Sequence, residues 1–229
     1  MQIRFHGQSC FEIQHGETKL IIDPFLKGNP VAKTKPEDIQ VNYILLSHGH
    51  GDHVGDTVEI AKQNNATVIA PNELAVWLGW QGVNVHPMHI GGSFRFDFGR
   101  VKLTQAFHGS SAIDEEKKEI TYLGMPAGLL LDLGDYTIYH AGDTALFSDM
   151  KLIGMQHDVD LALLPIGDNF TMGPEDALLA AEWVGAKHVI PMHYNTFPLI
   201  EQDGHGFVEK LKKKGIKGTV LEAGEIINL

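Results

Sequence analysis

Short apolar runs alternate along this chain with longer stretches in which apolar residues recur every three or four positions. The short runs predict strands, the longer stretches predict helices, and their alternation points to a layered α/β fold. Strands are expected at Ile3 to Phe5, Cys10 to Gln14 and Lys19 to Ile22, separated by Gly7 and by the His15-Gly16 turn. Val41 to Leu46 (VNYILL) is apolar almost throughout, as in a strand covered on both faces. Asp56 and Glu59 read as a capping box for a helix through Lys62 that closes at Asn64-Asn65. Thr67 to Ala70 predicts a strand, and Asn72 a cap for a helix with Leu74, Trp77 and Leu78 on one face, stopping at Gly79. Ser93 to Tyr139 is β-rich, with strands near Val101 to Phe107, Gly128 to Leu133 and Thr137 to Tyr139. Alternation then returns: strand Leu161 to Leu164, helix Pro174 to Val184, strand His188 to Ile190, helix Phe207 to Lys214 and a strand near Val220. Pro174 at a first helical position and Gly185 just past the end punctuate the longest helix.

The 229 residues fit one domain, 1–229, large enough to bury a continuous core. A formal charge of −11 argues against binding long nucleic acid, which depends on clustered Lys and Arg. The one dense basic run, Lys210 to Lys217, reads as the solvated face of a late helix. Cys10 is the only cysteine, so neither an intrachain disulfide nor a thiolate-rich zinc site is available. The first residues lack the basic-then-apolar pattern of an export signal, and no apolar run reaches membrane-spanning length. The expectation is a cytoplasmic protein acting on a small molecule away from membranes, with the oligomeric state, a homo-oligomer included, left open.

Candidate chemistry changes the picture at HGHGDH. His48, His50, Asp52 and His53 fall within six residues, directly after the apolar Val41 to Leu46 run. In extended backbone, residues two apart project to the same side, so His48 and His50 can share one cation while Asp52 and His53, beyond Gly51, address another. Imidazole and carboxylate donors suit zinc, manganese, nickel or iron, with zinc first. A low-complexity histidine tract would lack such a buried strand before it.

The motif has company. Apolar strands end at Asp23, His48, His108, Asp143 and His193, and in layered α/β sheets sites form at the carboxyl ends of strands. Two metals about 3.5–4 Å apart need a shared oxygen ligand, and Asp143 in AGDT is the natural bridge. On that assignment His48, His50 and His108 hold one metal, and Asp52, His53 and His193 hold the second. Asp23 either lies beneath the site and orients an imidazole or is a plain strand-to-turn aspartate before Pro24.

Asp23, His48-x-His50-x-Asp52-His53, His108, Asp143 and His193 resemble, in order and spacing, the ligand motifs of the metallo-β-lactamase superfamily. The words HGQSCF, IIDP, AGDT, PIGDNFTMG and PMHYNTFP look like those of its small metal-dependent hydrolases akin to the ascorbate-6-phosphate lactonase branch. The resemblance implies a four-layer αββα sandwich with two divalent metals at one edge. It also implies a hydroxide between them that cleaves a small ester, lactone or phosphoester, with Asp52 orienting the nucleophile and passing a proton to the leaving group. The rival readings are phosphodiesterase or nuclease action on short nucleic acids and a non-catalytic metal-binding protein. Asp168, Asn169 and Thr171 in the Pro165 to Gly173 loop, and Asn195, are candidates for substrate contact. Each has a structural reading beside it, Thr171 as a helix cap and Asn195 as a turn former. His6 could reach the site mouth or be a hydrogen-bonded structural histidine.

Overall fold

The computed structural model describes residues 1–229. Its first half runs through strands β1 (Gln2–Gly7), β2 (Cys10–His15), β3 (Thr18–Ile22) and β4 (Tyr43–Leu45), then helices α1 (Gly51–Val54) and α2 (Thr57–Asn64). Next come β5 (Thr67–Pro71), α3 (Asn72–Gly79), β6 (Asn84–Met88), β7 (Ser93–Phe96) and β8 (Gly99–Gln105). A hairpin of β9 (Ser111–Asp114) and β10 (Glu119–Tyr122) leads to β11 (Ala127–Asp132) and β12 (Thr137–His140). The remainder is α4 (Met150–Gln156), β13 (Leu161–Pro165), α5 (Pro174–Trp183), β14 (His188–Met192), α6 (Gly204–Lys213), β15 (Lys217–Gly218) and β16 (Ile226–Asn228).

Two seven-stranded sheets result, ordered β16-β1-β2-β3-β4-β5-β6 and β15-β14-β13-β12-β11-β8-β7. The period of two along each strand decides the layering. In β3, Leu20 and Ile22 enter a cluster shared by both sheets, while Ile21 joins another with Ile60 of α2 and Leu74 of α3. In β13, Leu161 and Leu163 enter the shared cluster, while Ala162 and Leu164 join Ala177 and Ala180 of α5 and Phe207 of α6. Each sheet is thus apolar on both faces, one against the other sheet and one beneath helices, and four αββα layers follow. Each fully buried Leu or Ile contributes roughly 1.5–3 kcal/mol through area removed from water.

Strand direction sets where chemistry can gather. β3 and β4 are parallel, as are β12, β13 and β14. β8 and β12 are both antiparallel to β11, so β8 shares the direction of β12. The carboxyl ends of β8, β12 and β14 therefore emerge at one edge of their sheet, and those of β3 and β4 at one edge of theirs.

Several local expectations are corrected. Asp56 makes no cap to α2; its Oδ2 instead accepts the Leu26 and Lys27 N–H groups at 2.9 and 2.8 Å, tying the turn after β3 to the start of α2. Glu59 pairs with Lys27 rather than with a helix terminus. Asn72 is the first residue of α3, behind an N-cap at Pro71, and Gly173, not Thr171, caps α5. The last helix begins earlier than its apolar pattern suggested, because Asp203 accepts the Gly206 N–H at 2.9 Å. The basic run sits where expected, in the last turn of α6 and beyond; Lys210 pairs with Glu175 at 2.6 Å and Lys214 with Glu182 at 3.1 Å. No helix is long and apolar enough to cross a membrane.

Candidate metal centre

Five loops leave these edges, and Asp23, His48, His108, Asp143 and His193 each sit one to three residues past a strand end, with His50 next in the β4 loop and Asp52 and His53 in the α1 turn that follows it. Asp23 after β3 is fully buried and accepts the Ser47 N–H at 2.8 Å, the Ser47 hydroxyl at 2.6 Å and His53 Nδ1 at 2.8 Å. Since the Ser47 hydroxyl gives its only proton to Asp23, its 2.9 Å contact with His48 Nδ1 has the imidazole as donor. With a cation in place, both His48 and His53 are thereby fixed as Nδ1–H tautomers whose Nε2 lone pairs face the cluster.

Asp143 Oδ2 lies at the centre. It is 3.0 Å from His193 Nε2, 3.2 Å from His53 Nε2, 3.5 Å from His108 Nε2 and 4.0 Å from His48 Nε2. His50 turns Nδ1 to within 3.0 Å of His48 Nε2, and Asp52 Oδ2 lies 3.5 Å from both His53 and His193 Nε2. The donor atoms group as His48, His50 and His108, as Asp52, His53 and His193, and as His48, His53 and Asp143, each set within 4.8 Å. His53 Nε2, His193 Nε2 and Asp143 Oδ1 are buried without a hydrogen-bond partner. Buried polar atoms are seldom left unmatched, and an all-nitrogen-and-oxygen donor set around them fits divalent cations.

The charges agree with that fit. Burial alone would lower His53 and His193, but Asp143 leads the carboxylates that outweigh it, raising His53 well above its usual value and His193 to about 9. Burial would likewise raise Asp143, yet His193 and His53 hold its carboxyl well below the usual carboxylate range. His48, His50 and His108 are pushed down, chiefly by burial. At pH 7 the metal-free cluster thus holds protons on His53 and His193 that a cation must displace. Loading is expected to release protons, and metal affinity to rise between pH 6.5 and 9. Calorimetry in buffers of different ionisation enthalpy checks this; identical heats would contradict it. A raised histidine stabilises fully below its unfolded value of about 6.5 and loses that contribution as pH climbs through the folded one. The metal-free protein should therefore lose thermal stability toward pH 9 more steeply than the loaded one.

Backbone geometry and loop ties hold the groups in place. Asp23 and His193 adopt φ of +45° and +54°, strained for residues with a Cβ and of order 1–3 kcal/mol each. The Asp23 N–H donates to Leu45 O at 3.0 Å and the His193 N–H to Gln8 O at 2.8 Å. Gly142, at φ +63°, leaves no room for a Cβ, which would lie 2.6 Å from Ala127 O. Gln8, in the turn between β1 and β2, donates through Nε2 to Asp52 Oδ2 at 2.9 Å. Ser110 Oγ accepts the Gly49 N–H at 3.1 Å and Thr144 Oγ1 the Phe107 N–H at 3.0 Å, joining the His48, His108 and Asp143 loops.

Beside the cluster opens a cavity of ≈ 620 Å³ bounded by His50, Asp52, His108, Asp143 and His193 and by the apolar side chains of Val54, Trp77, Ala112, Ile113, Phe170 and Phe197.

A family model described as beta-lactamase superfamily domain matches residues 18–194, the span that carries every residue of the cluster. The chain belongs to the metallo-β-lactamase superfamily. A UPF0173 metal-dependent hydrolase of Bacillus cereus is 68% identical over 229 residues, covering 100% of both chains. Among solved structures, Igni18, a metallo hydrolase from the hyperthermophilic archaeon Ignicoccus hospitalis, matches with TM-score 0.88 and 34% identity over 99% of this chain and 97% of that one. A possible metal-dependent hydrolase from Veillonella parvula shares the fold, with TM-score 0.79 at 20% identity, over 100% of this chain and 99% of that one. With such relatives and this donor cluster, the chain is a metal-dependent hydrolase.

The hydrolase brings His48, His50, Asp52, His53, His108, Asp143 and His193 together, with Asp23 beneath them. It does not bring the proposed substrate contacts to the cavity. His6 is fully buried and bonded to Glu12 at 3.2 Å. Asp168 and Asn169 are exposed, Thr171 bonds its neighbour Met172 O, and Asn195 Oδ1 accepts the Gln202 N–H at 2.8 Å. The Thr171 and Asn195 side chains satisfy nearby backbone groups, while the apolar Phe170 and Phe197 of the same two loops turn to the cavity. The sequence reading also passed over Gln8, although its turn follows a strand end as the ligand loops do.

Proposed function

We propose that this hydrolase holds two divalent cations, zinc foremost, and cleaves a small carboxylic ester or lactone with water. The observation that carries the reading is Asp143 Oδ2, set within 3.0–4.0 Å of four imidazole nitrogens belonging to both donor groups, as a bridging carboxylate would be. Bound there, a pair of cations supplies a water whose pKa falls toward about 7 and polarises the scissile carbonyl.

The chain's own groups do the rest. Asp52 orients the attacking water and passes its proton to the leaving oxygen, so the hydroxyl goes to the acyl carbon, the carbon–oxygen bond breaks, and no other reactant is needed. Gln8 fixes the Asp52 carboxylate through the 2.9 Å hydrogen bond. Asp23 and Ser47 hold His53 and His48 in the tautomers that present Nε2. Replacing Asp23 with Ala would strand the Ser47 N–H, the Ser47 hydroxyl and the His53 Nδ1–H in a buried place, each at about 1–3 kcal/mol. A loss of at least about 3 kcal/mol in urea unfolding of the metal-free protein is expected; an unchanged midpoint would refute the role of Asp23.

The direct test combines elemental analysis with a panel of esters, lactones, thioesters and phosphodiesters on fully loaded protein. Two cations per chain with ester or lactone turnover is the expected result. One cation at saturation with full activity overturns the paired-metal reading, and turnover confined to phosphodiesters overturns the substrate reading.

A further inference from the structure

The side chains around the cavity divide sharply. Every ionisable one, Asp52, Asp143 and the histidines, belongs to the metal cluster, and the 15 lining residues include no Lys or Arg. The other wall is Trp77 from α3, Ile113 from β9, Phe170 after β13 and Phe197 after β14, with Val54 and Ala112 between them. Ile113 and Phe170 are 60% and 51% exposed, so the wall leaves apolar area in water at the mouth of the site. A concave apolar surface next to a few convergent polar groups, of ≈ 620 Å³, is the usual form of a small-ligand pocket.

Resting on the ester or lactone reading above, we infer that the substrate carries an uncharged apolar arm, seated among Trp77, Ile113, Phe170 and Phe197, while its scissile carbonyl meets the cluster. An arm ending in phosphate or carboxylate would leave water for a wall that offers no Lys or Arg and, beyond the Ser111 hydroxyl and the Trp77 indole N–H, only apolar carbon. The net charge of −11 opposes its approach as well. The arm gains by covering side chains that the folded protein leaves wet, and the gain scales with its length until the wall is covered.

The test uses metal-loaded protein, γ-lactones with alkyl arms from methyl to hexyl, the same arms ending in carboxylate, and the matching γ-lactams as unreactive isosteres. Lactam binding is followed by tryptophan fluorescence, with Trp77→Phe to assign the signal. Both kcat/KM for the lactones and affinity for the lactams should rise roughly two- to fourfold per added methylene. Carboxylate-ended arms should fall at least tenfold below neutral ones of equal length, and Ile113→Lys should narrow that gap at least tenfold. Flat dependence on arm length in both series, or preference for the charged arm, overturns the inference. Lactone turnover without length dependence sinks the inference and keeps the ester or lactone reading. Length-dependent lactam binding without lactone turnover does the reverse, and neither binding nor turnover sinks both.

Discussion

Asp52→Asn is expected to lower turnover by about 10²–10⁴-fold, the usual worth of a positioned acid–base group, with metal content falling far less. Asparagine keeps the shape of the side chain and one oxygen near His53 and His193, from which Asp52 Oδ2 lies 3.5 Å. It loses the negative charge that lets Asp52 take and return a proton. It also places an amide where Gln8 Nε2 now donates to a carboxylate at 2.9 Å, weakening a charge-assisted bond. The measurement is kcat/KM on the best lactone of the panel, beside elemental analysis of the same sample. Activity within tenfold of the parent at equal metal content would remove Asp52 from the reaction. A drop in metal that matches the drop in rate would reduce it to a ligand.

A still larger effect is expected of Asp143→Ala. The carboxylate is almost fully buried and is the one oxygen approached by His48, His53, His108 and His193 together. Without it the buried imidazoles lose the charge that raises His53 and His193, and the two donor groups lose the atom between them. Metal content should fall below one cation per chain where the parent is saturated, and turnover by at least about 10³-fold, since on the paired-cation proposal removing the shared ligand removes both sites at once. The fold should persist, because neighbouring Ala141 and Gly142 need no carboxylate to end β12. Circular dichroism and elemental analysis on one sample decide this. Two cations retained by the variant would refute the central place given to Asp143.

What could be read in the letters was the set of groups whose chemistry and position agree. β3, β4, β8, β12 and β14 are apolar and each hands over to a ligand-type residue, so strand ends and candidate ligands announced one another. Strands that bury little were lost. β6, NVHPM, has a proline and three polar or part-exposed positions, and β9 and β10 form an exposed hairpin with no alternating apolar face. α4 escaped because Gly154 interrupts its seven residues. That glycine is close-packed, as a Cβ there would lie 2.5 Å from Trp183 O.

The groups that act across the chain were illegible for a different reason. Asp56 looked like a helix cap because local partners are all a sequence displays; its true partners, the Leu26 and Lys27 N–H groups, are 30 and 29 residues away. Gln8 and Asp52 are separated by 44 positions. The cavity wall was misread in the opposite direction. Polar loop residues drew the eye as substrate contacts, whereas Trp77 read as the core face of a helix, because an apolar side chain covering a ligand and one covering a core carry the same letter.

The sheets contribute to the cluster from opposite sides. Asp23, His48, His50, Asp52 and His53 follow strands of the first, while His108, Asp143 and His193 follow strands of the second. Elsewhere the two halves meet chiefly through aliphatic and aromatic carbon, with polar ties such as Tyr43 to Asp97 at 2.8 Å and His15 to Asp135 at 3.5 Å, whereas at this rim several oppositely charged groups interlock with fixed direction. The cluster is therefore also a clasp. Removal of bound metal is expected to slacken the mouth of the sandwich first and to leave the far rim gripped as before, with Asp23, Gln8, Ser110 and Thr144 as the ties that remain at the mouth.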